Sequence, residues 1–173
     1  MTDTTDETTI DEPTGRWARA GRLARWLLGA FSLVAGLTWI LFTMHGPTAV
    51  LDLCVGLVLA GAGLVLLMPH RIRLPRLVTT IVMAMVAIAG TAAGLASSTE
   101  RTCCAYAYVL DRGFPFTWVQ RAGVGPDPAS AERLAGSANW TVDLVSLAAN
   151  LLLWAYAGML IVVIAVLARR RRA

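Results

Sequence analysis

The stretch that decides the fold is Trp140–Ala168, WTVDLVSLAANLLLWAYAGMLIVVIAVLA, followed at once by the arginines Arg169 to Arg172. After Asp143 it carries no charged side chain. It exceeds the roughly 19 residues that an α-helix needs to cross a hydrocarbon core of about 30 Å at 1.5 Å per residue. Its apolar residues run continuously instead of alternating, which excludes a strand of a membrane β-barrel. Three more such segments precede it, at about 25–43, 50–68 and 75–97. The chain is 57% hydrophobic and 15% charged over 173 residues, whereas a soluble domain is roughly half apolar and a quarter charged. The expected fold class is an all-α membrane protein, a bundle of four transmembrane helices with a long loop between helices three and four.

Residues 1–15, MTDTTDETTIDEPTG, are acidic and Thr-rich. They bury too little apolar surface to offset chain entropy, so a disordered tail is expected ahead of a four-helix domain over 16–173. The tail lacks the basic start of a secretory signal, so helix one is expected to be retained as an anchor. All fifteen basic residues are arginine. Eleven fall before helix one, between helices two and three, or after helix four. Arg101, Arg112, Arg121 and Arg133 fall on the other side, mixed with acids. The positive-inside rule then places both termini in the cytoplasm, and the loop at 98–139 outside a plasma (inner) membrane. The arginines flank apolar segments instead of tiling a soluble face, so the net charge of +4 points to lipid, not nucleic acid, as partner. The lead-in RWARAGRLARW extends helix one into the interface, with Trp17 and Trp26 at headgroup depth.

Each helix carries small residues at helical spacing: Gly29, Ser32 and Gly36; Gly56, Ala60 and Gly63; Gly90, Gly94 and Ser98; Ser146, Asn150, Ala157 and Gly158. In lipid such stripes allow close backbone approach and mark contact faces. Asp52 and Asp143 fall at the starts of helices two and four, where a carboxylate favours a helix N-terminus. Together with Asn150 they also form a candidate polar bundle face. No ionisable residue falls near mid-bilayer, in contrast to most pumps.

The loop holds the vicinal cysteines Cys103 and Cys104, in an oxidising compartment on the expected topology. Cys54, near the same end of helix two, is a candidate disulfide partner, and the odd third thiol invites an intermolecular bond. Free thiols, a redox role, or a soft-metal site with His45 and Met44 are the other readings. No CxxC spacing supports the redox role. Further on, Tyr106, Tyr108, Phe114, Phe116 and Trp118 are separated by even numbers of residues, as in a short strand or an interfacial segment. Asp111-Arg112-Gly113 reads as a turn. ASAERLAG reads as one or two helical turns. Phe114, Pro115, Phe116 and Trp118 form the expected loop contact surface, an aromatic plug on the mouth of the bundle.

The run Gly113-Phe114-Pro115-Phe116-Thr117-Trp118, ahead of a last helix entered through Asp143, resembles a pattern in small prokaryotic four-helix membrane proteins. Those share a Gly-aromatic-Pro-x-x-Trp outer loop and a final helix that opens with an acid. The resemblance covers the last third of the chain and implies topology, with no activity, cofactor or catalytic residue attached. Tetraspanins also have four helices and an early cysteine pair in a long loop. Their Cys-Cys-Gly motif with further loop cysteines is not matched by Cys103-Cys104-Ala105.

Two histidines and few acids offer no catalytic triad, phosphate loop or paired carboxylates. The expectation is therefore a non-enzymatic accessory or structural protein without a cofactor. It acts through its outer loop on other membrane proteins or as a homo-oligomer. A small transporter or channel subunit, lined by Asp143 and Asn150, is the alternative. A redox or metal-handling protein using Cys103 and Cys104 is the second.

Overall fold

The computed structural model describes residues 14–43, 49–68, 76–103 and 106–172. Residues 1–13, Met44, His45, Cys104 and the side chain of Cys103 lie outside the described residues, and with them the vicinal cysteine pair and all of the expected disordered tail but Thr14 and Gly15, which begin the first helix. The chain runs α1 (Thr14–Thr43), α2 (Ala49–Leu67), α3 (Arg76–Gly94), β1 (Ser98–Cys103), β2 (Ala107–Arg112), β3 (Val119–Val124), α4 (Pro128–Ser137), β4 (Thr141–Val142) and α5 (Leu144–Arg172). Helices α1, α2, α3 and α5 are each long and apolar enough to cross a membrane.

The helices pack as two pairs, α1 with α2 and α3 with α5, joined along α2 and α5. Glycine makes the first pair close. A methyl group on Gly36 would lie 2.7 Å from the Gly56 carbonyl oxygen, and one on Gly63 would lie 2.7 Å from that of Gly29. The Leu33 backbone lies against Gly63, and the Ile40 side chain lies over Gly56. In the second pair Gly158 abuts the backbone of Val82 and Met83, and Gly90 abuts the indole of Trp154. Between the pairs lies a small core of Ala62, Tyr156 and Met159. There the Ser32 and Tyr156 hydroxyls share a buried hydrogen bond of 2.8 Å. Such bonds hold helices together where lipid gives no hydrophobic drive between them.

The all-α expectation is incomplete, because the loop folds into an antiparallel sheet in the order β1-β2-β3-β4. Asp111 and Arg112 belong to β2, so the reversal expected there begins one step later, at Gly113. Gly113 has φ 125°, a conformation that L side chains avoid. Ser98 pairs with Arg112, which ends α3 at Gly94 instead of about residue 97. Thr141 and Val142 pair with Gln120 and Val119, which delays α5 to Leu144 instead of about Trp140. Helix α4 is ten residues long and packs on β2 and β3 through Ala131 and Ala135. Gly123 leaves room for it, since any Cβ there would overlap the α4 backbone at Ala131 and Ala135. Asp127 caps α4 in a reciprocal box with Ser130, behind Pro128.

Candidate functional site

The six residues Gly113–Trp118 join β2 to β3 and rest on the loop end of the helices. Their anchor is Asn150, one turn and a half into α5 and 0% exposed. Its Nδ2 donates to the Phe116 carbonyl at 2.7 Å, and its Oδ1 accepts from the Phe116 N–H at 3.2 Å. The amide thus pairs with one residue's backbone as a neighbouring strand would, and both backbone groups are satisfied away from water. Trp154, one turn further along α5, donates from Nε1 to the Phe114 carbonyl at 3.4 Å. On α3, Gly94 is bare where Phe114 crosses it: a Cβ would sit 2.8 Å from the Phe114 oxygen. On α1, the Trp39 ring meets Phe116 edge to face, centroids 5.6 Å apart at 85°. The segment is therefore held by three helices, with a cis peptide between Phe114 and Pro115.

Three buried polar groups around this seat find no partner among the described residues: Trp39 Nε1, Thr91 Oγ1 and Trp118 Nε1. Beside Trp39, α1 also presents an open apolar groove of about 400 Å³ between Phe31, Ala35, Thr38 and Phe42.

Asp143 does not share this seat. Its carboxylate caps α5, accepting from Val145 N at 2.9 Å, Ser146 N at 3.3 Å and Ser146 Oγ at 2.7 Å. Those bonds, the Ser146 hydroxyl foremost, hold its pKa below the ordinary carboxylate value. Its own N–H donates to the Trp118 carbonyl at 2.8 Å, so the end of the docked segment also fixes the start of α5. Asp52 lies half-buried in the first turn of α2. Cys54 is a free, exposed thiol. Above the helices, Arg101 pairs with the buried carboxylate of Asp111 at 3.1 Å. Tyr108 has its pKa raised by desolvation and by the neighbouring Glu100 carboxylate.

The sequence reading placed Asn150 on a polar bundle face and Phe116 in a loop contact, and the structure brings the two into one contact. It missed Trp39 and Trp154 as partners. Their indoles sit among apolar neighbours with nothing in the pattern to set them apart from ordinary interfacial tryptophans. Among the described residues no group of three His, Cys, Asp or Glu side chains could hold a metal ion. No protein-family model matches the chain, and no curated protein and no solved structure is similar to it.

Proposed function

We propose that this is a multi-pass protein of the plasma (inner) membrane, with both termini in the cytoplasm. On this reading it is a non-enzymatic accessory subunit that presents its sheet domain, outside the cell, to other membrane proteins or to a second copy. The arginine distribution supports the orientation. One observation carries the role: fully buried Asn150 turns both ends of its amide, Nδ2 and Oδ1, to the backbone of Phe116. A polar residue used in this way clamps a domain to its anchor, and its complete burial keeps it off any water-lined path. The sheet domain is thus offered in a fixed attitude above the membrane, as a recognition surface requires.

Purification in mild detergent tests this directly. A co-purifying membrane protein or a homo-oligomer on blue-native electrophoresis, lost in Asn150→Leu, is the expected result. A monomer that brings down nothing from cells, under several detergents, would overturn it. Cysteine labelling from the two sides of intact cells, at an introduced Ser137→Cys and Ala173→Cys, checks the orientation independently.

A further inference from the structure

Two arginines converge on one ring at the foot of the sheet domain. The Arg121 guanidinium carbon lies 4.5 Å from the centroid of Trp140, and that of Arg112 lies 5.1 Å from it. Register explains the meeting. Val119 pairs with Val142 and Gln120 with Thr141, so Trp140 continues β4 opposite Arg121, and Arg112 is the partner of Val119. Arg121 is held in place by one bond, Nη1 to the Gly136 carbonyl at 3.1 Å, while its Nε is buried without an acceptor among the described residues. Neither guanidinium has a carboxylate within ion-pair distance among the described residues. The ring's π face attracts each cation but carries no charge to neutralise the pair. Two like charges thus share one indole with donor capacity to spare.

What lies next to them is apolar and exposed. Val142 leads from the cluster to Leu144 and Val145, the first residues of α5, which are 72% and 79% exposed. These open the membrane-spanning segment Leu144–Arg172. With α5 crossing the bilayer, the cation pair at the β4 end of the sheet falls near headgroup level, a few residues along the chain from an exposed apolar surface that acyl chains would cover.

We propose that Arg112, Arg121 and Trp140 form a binding site for the phosphate of an anionic phospholipid in the leaflet on the loop side. Its phosphate oxygens take the free guanidinium donors, and its chains run down Leu144 and Val145. Guanidinium is suited to this work, since its planar fork meets phosphate oxygens two at a time. The inference depends on α5 crossing the bilayer and not on which side the loop lies. It is also independent of the accessory role above.

The test uses the full chain labelled with 5-fluorotryptophan in phosphatidylcholine nanodiscs, with the Trp140 fluorine resonance assigned by its loss in Trp140→Phe. Phosphatidylglycerol titrated into the discs should shift that resonance saturably. Arg112→Gln should move the midpoint about tenfold upward, the loss of one charge-assisted contact. Arg112 is exposed and its fold-forming hydrogen bonds among the described residues are all made by its backbone, which glutamine keeps, so this variant retains the structure. Arg133 lies on α4, where its guanidinium bonds back to the Ala129 carbonyl and makes no contact with the Trp140 ring, so Arg133→Gln should leave the midpoint unchanged. The proposal is overturned if phosphatidylglycerol leaves the resonance in place, or if Arg112→Gln titrates like wild type. It is equally overturned if inorganic phosphate alone produces the same shift, which would assign the site to a soluble anion.

Discussion

At the scale of single residues, Asn150 decides more than its size suggests. Replacing it with leucine keeps the volume but strands the N–H and C=O of Phe116 in a part-buried setting. Each orphaned group costs about 1–3 kcal/mol in a protein interior, and interhelical hydrogen bonds in lipid measure about 0.6 kcal/mol on average. A loss near 2 kcal/mol is the expected outcome for Asn150→Leu, read as a lowered unfolding midpoint in detergent; a midpoint within error of wild type would show that the clamp is idle. Gly94 gives the steric counterpart. Gly94→Val would push side-chain atoms into the Phe114 backbone, which a Cβ would already meet at 2.8 Å. Overpacking of this kind costs about 1–3 kcal/mol, and the flexible end of a side chain is not there to yield. Gly21, which has open space around it inside α1, is the control: Gly21→Ala should not lower the midpoint, since alanine favours a helix over glycine by about 0.5–1 kcal/mol.

At the scale of elements, the sequence and the fold agree where physics is additive and part where it is pairwise. The four spans follow from length and apolarity alone, which are sums over neighbouring residues. The glycine stripes of α1 and α2 were legible too, and Gly36 and Gly56 do meet. The sheet was not. β1 reads Ser98-Thr99-Glu100-Arg101-Thr102-Cys103, with the first five residues exposed, so no alternation betrays it. In β3 the face toward α4 is made of Gly123, chosen for absence of bulk, and no hydrophobic period marks it. The seat of the loop was hidden for another reason: Asn150 recognises a backbone, and backbones leave no signature in side-chain patterns. Element ends were displaced for the same cause, since pairing of Ser98 and of Thr141 set them. One such end has a pH dependence. Asp143 titrates below its ordinary value of 3.8 because Ser146 and the Val145 N–H favour the carboxylate. Its cap therefore contributes stability at all pH above that ordinary value, and the contribution drains away as pH falls through the depressed one. The melting temperatures of wild type and Asp143→Asn should thus differ most near neutrality and converge in acid. A difference that stays constant with pH would mean that the carboxylate is not the capping species.

At the scale of the molecule, two helix pairs and one sheet domain are tied by different bonds, and the ties should fail separately. The sheet domain is held by Asn150, Trp154 and Gly94, all on α3 and α5, with Trp39 adding a contact from α1. The helix pairs are held to each other along α2 and α5, with the Ser32–Tyr156 bond at the centre. Tyr156→Phe removes that bond and little volume, at a cost of about 0.6 and at most about 1.7 kcal/mol. It should lower the midpoint without loosening the loop, because no atom of Phe114 or Phe116 bonds to Tyr156. Asn150→Leu should lower the midpoint and also release the Phe116 amide, which exchanges its hydrogen slowly only while Asn150 accepts it. Hydrogen exchange at that amide separates the two effects. Protection is expected to survive Tyr156→Phe, to survive most of Trp39→Ala, and to collapse in Asn150→Leu. The double variant Tyr156→Phe with Asn150→Leu should show additive shifts in midpoint, since the residues share no partner. If Tyr156→Phe strips protection from Phe116 as fully as Asn150→Leu does, the helix pairs and the sheet domain form one cooperative unit. The clamp at Asn150 would then be a consequence of bundle packing and not its own tie.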